Sequence, residues 1–299
     1  MTDDPPPRRL SDYEQTLQEY YDALWADHSR LRTHGSRWSS GWHFGYTNPN
    51  DTTPQDPIET MNHFIGETLD LVNKPTASVL DAGCGIGATV LSLAQHYPKC
   101  TFTGLSLAPT EIALATRLQH DRGITNVRFF QGSYLHTPFP PASFDAVFAL
   151  ESASHAEDKT TFIREMHRLL KPRGTLLILD LIPRKIIKPT FYGSSLLQQH
   201  AVSLNTFLSI LNENEFRVQT YDDLLKTRRV NPLELLYSTL WYSADAQRKR
   251  ASAQPPRPLR YCMEQATILP ACLLQILSTL YARYSYFVIL AEKTHKSSA

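Results

Sequence analysis

Cysteine is scarce in this sequence, and it does not occur in a metal-binding pattern. The four cysteines are Cys84, Cys100, Cys262 and Cys272. They form no C-x-x-C pair and show no metal-ligand spacing with histidine. Asp222-Asp223 is a weak candidate for a metal-binding pair. We therefore expect free thiols in a reducing, cytoplasmic compartment and no bound metal.

Excess charge of one sign is also lacking. Thirty Lys and Arg residues face 29 Asp and Glu residues, for a formal net charge of +1. Nor does the chain contain a basic stripe interleaved with aromatic residues. The composition disfavours a nucleic-acid partner and a macromolecular substrate.

Long apolar runs are missing at both ends of the chain. The opening "MTDDPPPRRL" has no apolar core, so it does not resemble a signal peptide, and residues 1–10 are predicted to be a disordered lead. The late stretch "ATILPACLLQILSTLYARYSYFVILAEK" is interrupted by Pro270 and Arg283. It never reaches the roughly 18 uninterrupted apolar residues of a membrane-spanning helix. Peripheral contact with a lipid surface remains an alternative.

Short apolar runs alternate with helical stretches from residue 77 onward. This rhythm is typical of a parallel sheet with helices on both faces. The fold class predicted is α/β, an open, doubly wound, mostly parallel seven-stranded sheet. The predicted strands are "ASVLDAG", "CTFTGLSL", "NVRFFQG", "FDAVFALES", "TLLILDLI", "RVQTYDDL" and "YFVILAEK". The helix "DKTTFIREMHRLLKPRG" is expected to stop at Pro172 and Gly174.

The remaining segments are predicted to cover this sheet. Residues 11–76 contain two amphipathic helices and are interpreted as an N-terminal helical lid, ahead of a ligand-binding core over 77–183. Residues 184–299 would supply the rest of the sheet, at about 204–222 and 284–293, together with a helical substrate cap at about 224–282. Open α/β sheets bind ligands at the carboxyl ends of their strands, so lid and cap would lie over that edge.

A glycine-rich loop follows the first strand, in "VLDAGCGIGATV" over residues 79–90. Gly83, Gly85 and Gly87 permit a tight turn and the close approach of a ligand to the backbone. The same glycines would fit a dinucleotide-binding site. Such a site also needs an acid at the end of the second strand, and "TGLSLAP" has none there. Asp81 instead precedes the loop, where a carboxylate can reach a ligand. The remaining alternative is that the glycines serve only the turn.

Together these features resemble the class I S-adenosylmethionine-dependent methyltransferases, over about residues 77–182. The resemblance implies a Rossmann-like methyltransferase fold with S-adenosyl-L-methionine as the cofactor. Asp81 would hold the amino-acid part of the cofactor, directly or through water. That part would lie on the loop backbone at Gly83, Cys84, Gly85 and Gly87.

Two further stretches would hold the rest of the cofactor by resemblance. "GLSLAPTE" is similar to the "GLTLSxxQ" stretch of cyclopropane fatty acid synthases, which places Glu111 on the ribose and Ser106 and Leu107 beside it. The alternative for Glu111 is an exposed acid in the first turn of its helix, where the helix dipole favours a negative charge. In "QGSYLHTPF", Ser133 stands where the family usually has the aspartate that binds adenine, with Tyr134 beside it.

The segment "ALESASHAED" resembles the "IEATCHA" stretch of sterol C-methyltransferases. If an alkene accepts the methyl group, Glu151 could stabilise the carbocation and take a proton, or His155 could. Glu151 would also lie beside the cofactor. If a hydroxyl accepts it, His155 would be the general base. The alternatives are a structural hydrogen-bond acceptor at Glu151 and an ordinary loop histidine at His155.

The segment "RWSSGWHFGY" resembles the N-terminal segment of geranyl diphosphate, cyclopropane and phosphoethanolamine methyltransferases. The resemblance places Ser39, and Tyr21 upstream of it, on the cofactor. Trp42, Phe44 and Tyr46 could face the methyl group or a cationic intermediate with their rings. Alternatively, these aromatic residues only pack the lid on the sheet.

The function predicted is methyl transfer from S-adenosyl-L-methionine to a small, apolar acceptor, with C-methylation of an isoprenoid or lipid-like alkene as the leading reaction. An apolar and aromatic stripe in the cap suits such an acceptor or packs the cap's own core. Arg228 and Arg229 could meet a diphosphate or remain solvated. The alternatives are O- or N-methylation of a small natural product or phospho-base, and a non-catalytic, cofactor-binding regulator. Homo-oligomerisation is left open.

Overall fold

A seven-stranded sheet organises the part of the chain that the structure, a computed structural model, describes: residues 9–25, 43, 45–46, 56–183, 200–227 and 284–294. The strands are β1 (Ser78–Ala82), β2 (Thr101–Ser106), β3 (Val127–Gln131), β4 (Phe144–Leu150), β5 (Leu170–Pro183), β6 (Phe216–Asp223) and β7 (Tyr284–Lys293). The helices are α1 (Asp12–Trp25), α2 (Pro57–Thr68), α3 (Ala88–His96), α4 (Pro109–Asp121), α5 (Lys159–Leu169) and α6 (Leu204–Glu213).

The strand order is β3-β2-β1-β4-β5-β7-β6. The first five strands are parallel, and β7 runs antiparallel between β5 and β6. This confirms the predicted open, doubly wound, mostly parallel sheet. The chain reverses direction across the sheet between β1 and β4, and at such a switch point the loops diverge to leave a crevice for ligands.

Successive side chains of the central strands point to opposite faces of the sheet and pack into two apolar layers. Val79 and Phe148 belong to the core on one face, whereas Leu80 and Val147 belong to the core on the other. This period of two in a strand buried on both faces explains why most residues of β1 and β4 are apolar. The buried Asp81 is therefore an exception within β1.

Local capping signals set where several helices begin. At the start of α1, the Ser11 N–H donates to Glu14 Oε2 at 3.0 Å, and the Glu14 N–H donates to Ser11 Oγ at 3.1 Å. This reciprocal pair is a capping box. Asp56 and Asp158 cap α2 and α5 through their carboxylates alone, which accept from backbone N–H groups of the first turn.

The end of α5 differs from the prediction. The helix stops at Leu169, and β5 already begins at Leu170. Pro172 disfavours helical backbone at the residue before it, and Arg173 takes a left-handed φ of 62°. The pairing of β4 with β5 then shifts register, from Phe144 with Leu170 to Ala146 with Thr175. The Lys-Pro-Arg-Gly stretch is an irregular start of the strand rather than the last turn of the helix.

Some predictions concern residues that the structure does not describe. These are the lead before residue 9, Ser39, Trp42, Phe44 and most of the predicted cap, including Arg228 and Arg229. Among the residues described, no helix has the length and apolar character needed to cross a bilayer. Most of the late apolar stretch lies outside those residues.

Candidate active site

The glycine loop lies at the carboxyl edge of the sheet and is anchored to β2. The backbone N–H groups of Gly83 and Cys84 both donate to the Leu105 carbonyl, at 2.8 and 2.9 Å. Gly83, Gly85 and Gly87 have φ angles of 100°, 52° and 75°, in the left-handed region that favours glycine. The loop therefore turns sharply from β1 into the start of α3.

The three glycines meet different surroundings. A Cβ at Gly83 would lie 2.4 Å from Ser152 Cβ, and one at Gly87 would lie 2.6 Å from the Phe129 ring. At Gly85 the nearest atom is Glu111 Oε1, at 3.7 Å. Close packing within the protein thus accounts for two of the glycines, and Gly85 is the position where the backbone has room for a ligand.

Asp81 lies at the end of β1, directly before this loop, and its side chain is buried. Its Oδ1 atom has no hydrogen-bond partner among the described residues. Burial raises the pKa of this carboxyl well above its usual range. A buried carboxylate oxygen without a donor is costly, so the position suits a ligand that brings an ammonium group.

Glu111, in the first turn of α4, is buried rather than exposed, so the alternative of a solvated first-turn acid is wrong. Ser106 Oγ donates to Glu111 Oε2 at 2.5 Å, and Trp25 Nε1 donates to Oε1 at 3.0 Å. Desolvation by burial raises the pKa of Glu111 to about 7, against the opposing hydrogen bonds. Leu107 follows β2, and its carbonyl accepts a bond of 3.5 Å from Gln131. Glu111, with Ser106 bonded to it, thus lies beside Gly85.

An acid from α1, Glu14, lies at the end of β3 and was not predicted from the sequence. Ser133 Oγ donates to the Glu14 carboxylate of α1, and the Leu135 N–H donates to Ser133 Oγ at 3.1 Å. Glu14 is buried and also caps its own helix. The Ser-x-x-Glu spacing identifies Glu14 as a capping residue, but nothing in that local pattern indicates that it reaches the end of β3. Tyr134, next to Ser133, donates to the Ser152 carbonyl at 2.9 Å.

Glu151 follows β4 in a left-handed conformation, with φ of 52°. Its N–H donates to the Leu179 carbonyl at 2.7 Å, which holds the residue against β5. The Tyr286 hydroxyl of β7 donates to Glu151 Oε1 at 3.0 Å. Burial raises the pKa of Tyr286, so its hydroxyl stays protonated as a donor. Tyr286 was predicted only as part of a strand.

His155 lies in the loop after β4 and contacts α1. Its Nε2 lies 3.1 Å from the Tyr21 hydroxyl, and its buried Nδ1 has no partner among the described residues. Burial, with a smaller contribution from Lys159, lowers the pKa of His155 to about 4. The ring is therefore a neutral imidazole at physiological pH.

Two buried ionisable residues, Lys159 and Asp180, support this loop through bonds to its backbone. Lys159 donates to the carbonyls of Ser154 and Ala156, at 2.9 and 2.5 Å, while Asp180 accepts from the N–H groups of Ser154 and Leu181, at 2.8 and 2.7 Å. Burial lowers the pKa of Lys159 to about 8 and raises that of Asp180 to about 6. A cavity of about 20 Å³ lies beside the pair. Lys159 and Asp180 thus hold the loop that carries His155.

Tyr46 packs in the core beside α2. Its ring stacks on Phe64 with centroids 4.5 Å apart, and its N–H donates to the Pro57 carbonyl at 2.8 Å. It is grouped with Met61 and Ile65 in one apolar layer. A position facing the transferred methyl group remains a prediction for Tyr46.

Helix α1 lies across the carboxyl edge and contacts each part of the site. Glu14 meets the end of β3, Tyr21 meets the loop after β4, and Trp25 meets Glu111. Asp22 also accepts from the Thr110 N–H at 3.0 Å, at the start of α4. These contacts support the proposal that the N-terminal segment is a lid.

Comparison with known proteins identifies the central segment. A family model described as "Methyltransferase domain" matches residues 80–178. Residues 80–178 are therefore similar to this methyltransferase-domain family, and the resemblance inferred from the sequence is confirmed.

Two curated relatives extend beyond this segment. Ajmaline N-methyltransferase of Rauvolfia serpentina is 31% identical over 59% of this chain and 61% of its own length. Cycloartenol-C-24-methyltransferase 1 of Oryza sativa subsp. japonica is 30% identical over 55% of this chain and 45% of its own length. The chain thus aligns with less than two thirds of either relative.

Similarity of fold covers almost the whole chain. The crystal structure of the [4+2]-cyclase SpnF superposes with a TM-score of 0.70, at 20% identity, over 97% of this chain and 99% of that chain. This likeness confirms the fold. Because the fold also hosts a cyclase, the reaction has to be argued from the site.

Proposed function

We propose that this protein transfers a methyl group from S-adenosyl-L-methionine to a small, apolar acceptor bound under α1. The observation that carries the proposal is the buried Asp81 carboxyl group directly before the glycine loop, whose Oδ1 lacks a donor among the described residues, together with the open backbone at Gly85. The ammonium group of the cofactor's amino-acid part is the donor that this position requires. When bound, the cofactor supplies an electrophilic methyl group on a sulfonium.

The residues around the loop can hold the remaining parts of the cofactor. Glu111 accepts two hydrogen bonds in the structure, and its carboxylate retains lone pairs for ribose hydroxyls. Glu14 brings a carboxylate to Ser133, where the family usually has an aspartate. We infer that Glu14 and Ser133 together accept from the exocyclic amine of adenine, so that the missing aspartate is replaced from α1.

The acid–base character of the site favours an alkene as acceptor. His155, with a pKa of about 4, is a weak base at neutral pH and is poorly matched to deprotonating a hydroxyl. A carbocation formed by C-methylation is a far stronger acid and loses its proton to a weak base. Glu151, held by Tyr286, would stabilise the positive charge as it develops and accept the proton.

Methylation of a nitrogen is the second candidate. It is supported by the relative named ajmaline N-methyltransferase, and an amine that is already neutral needs no general base. O-methylation requires a stronger base than His155 provides. From another class, a regulator that binds the cofactor without turnover would have the same loop geometry.

A panel of acceptors tests the proposed reaction. Tag-free protein is incubated with S-adenosyl-L-methionine and isoprenoid alkenes, phenols, amines or phosphoethanolamine, and both S-adenosylhomocysteine and methylated product are measured by mass spectrometry. We expect a new carbon–carbon bond in an alkene product. Products methylated only on oxygen or nitrogen would contradict C-methylation. Cofactor binding without turnover across the panel would support the regulator instead.

The pH dependence of cofactor binding tests the role of Glu111. With a pKa of about 7, its ionised fraction rises from about 9% at pH 6 to about 50% at pH 7. Ribose hydroxyls donate more strongly to the ionised form. We therefore expect the affinity for S-adenosylhomocysteine, measured by calorimetry, to rise up to about fivefold over this interval.

Glu111→Gln is the matched variant for this measurement. It keeps the shape of the side chain but does not titrate, so its affinity should change less between pH 6 and pH 7 than that of the wild type. Equal pH profiles for the two proteins would contradict a contact between Glu111 and the cofactor.

A further inference from the structure

A cluster of metal-ligand side chains lies outside the site described above. Glu59 and His63 are one helical turn apart on α2, and His96 is the last residue of α3. One possible ligand atom from each residue lies within 4.8 Å of those of the other two. Because α3 begins at the glycine loop and spans nine residues, the cluster lies about 13 Å away, at the other end of that helix.

Neighbouring groups already orient the Glu59 carboxylate. Ser92 Oγ donates to Glu59 Oε1 at 2.6 Å, and Asn62 Nδ2 donates to Oε2 at 2.9 Å. His43 Nε2 in turn lies 3.2 Å from Asn62 Oδ1. These bonds use two of the four lone-pair positions of the carboxylate, so it keeps acceptor capacity for a cation. Such outer partners are typical of metal-binding carboxylates.

The two histidines can also serve as cation ligands. His96 Nδ1 lies 2.9 Å from the Ser92 carbonyl, which can only accept, and 3.8 Å from Glu59 Oε1. Nδ1 therefore carries the proton, and Nε2 is the ring nitrogen with a lone pair for a cation. A backbone carbonyl that fixes the tautomer in this way is a common partner of metal-binding histidine. The His63 ring lies edge-on to the His96 ring, with centroids 4.4 Å apart.

We propose that Glu59, His63 and His96 bind a Zn²⁺ ion that ties α2 to α3. Two imidazoles and one carboxylate match the ligand preference of zinc, whereas Mg²⁺ and Ca²⁺ favour oxygen-only sites. Tetrahedral zinc with bonds of about 2.0–2.1 Å separates its ligand atoms by about 3.3 Å. The side chains must therefore move together by up to about 1.5 Å. The side chain of His96 is 43% exposed, so its ring can turn to bring Nε2 to the ion, and water can complete the coordination.

Zinc titration of the full, tag-free chain tests this site. We expect ZnCl₂ to bind with 1:1 stoichiometry by calorimetry and to raise the melting temperature. His63→Ala and His96→Gln should each weaken binding at least tenfold and remove the thermal shift. His120→Ala, at an exposed histidine near the end of α4, is the matched control and should bind zinc like the wild type.

X-ray absorption of the zinc complex identifies the ligands directly. We expect two imidazole rings and only oxygen or nitrogen in the first coordination shell. Metal-free melting curves of the variants should overlay that of the wild type, since His96 is exposed and His63 only half-buried. Absence of 1:1 binding by the wild type, sulfur ligands in the absorption spectrum, or unchanged affinity in both variants would overturn the proposal. None of these results depends on methyl transfer.

Discussion

Asp81→Asn is expected to weaken binding of S-adenosyl-L-methionine and S-adenosylhomocysteine by about 10- to 100-fold. This range corresponds to the loss of one hydrogen bond to a charged group, which contributes about 1.5–3 kcal/mol. The Asp81 carboxyl group is buried directly before the glycine loop, with Oδ1 unpartnered among the described residues. In the proposed complex the ammonium group of the cofactor supplies the missing donor and the compensating charge. Asparagine keeps the size of the side chain but removes that charge. Calorimetric titration at pH 7.5 measures the change.

Two controls separate binding from folding in this experiment. Asp121→Asn removes an exposed carboxylate near the end of α4 and should leave the affinity unchanged. The melting temperature of Asp81→Asn without ligand should equal or exceed that of the wild type, because the substitution removes a buried ionisable group whose pKa is raised by desolvation. Wild-type affinity in a folded Asp81→Asn protein would contradict the assigned role of Asp81.

Glu151→Gln is expected to lower kcat by about 100-fold or more at saturating cofactor, since removal of one preorganised electrostatic group typically costs about 10²–10³ in kcat. In the proposed C-methylation, this carboxylate faces the developing carbocation while Tyr286 and Leu179 hold it in place. His155→Ala should cost less than about tenfold, because a histidine with a pKa of about 4 contributes little as a base at pH 7.5. Initial rates with the best acceptor of the panel give both values.

The order of these two effects distinguishes the candidate reactions. Tyr286→Phe removes the hydroxyl that holds Glu151 but leaves the carboxylate, so we expect a loss in kcat smaller than that of Glu151→Gln. If His155→Ala is instead the more damaging change, the account of alkene methylation is wrong and deprotonation of a heteroatom by His155 takes its place.

The sequence could predict features that depend on short-range patterns. The strand–helix alternation gave the sheet, and the glycine spacing gave the loop after β1, because both follow from local backbone preferences and from the period of apolar residues. The end of α5 was predicted too late, since Pro172 ends the helix before its own position. Burial of Glu111 could not be read from its place in a first helical turn, because the residue that covers it, Trp25, comes from a distant helix.

The parts of the site that were missed depend on contacts between distant residues. Glu14 and Ser133 are separated by 119 positions, and Glu151 and Tyr286 by 135. No local pattern encodes such pairs, because they arise only when α1 and β7 pack against the sheet. The same holds for the Glu59, His63 and His96 cluster, where the i, i+4 pair on α2 was the available signal.

Titration of the purified wild-type chain with S-adenosyl-L-methionine, and in parallel with NAD, tests the central claim most directly. The account predicts saturable 1:1 binding of S-adenosyl-L-methionine and no detectable binding of NAD, because β2 ends in Ser106 and is followed by Leu107, where a dinucleotide site needs an acid. Binding of NAD without binding of S-adenosyl-L-methionine or S-adenosylhomocysteine would contradict it.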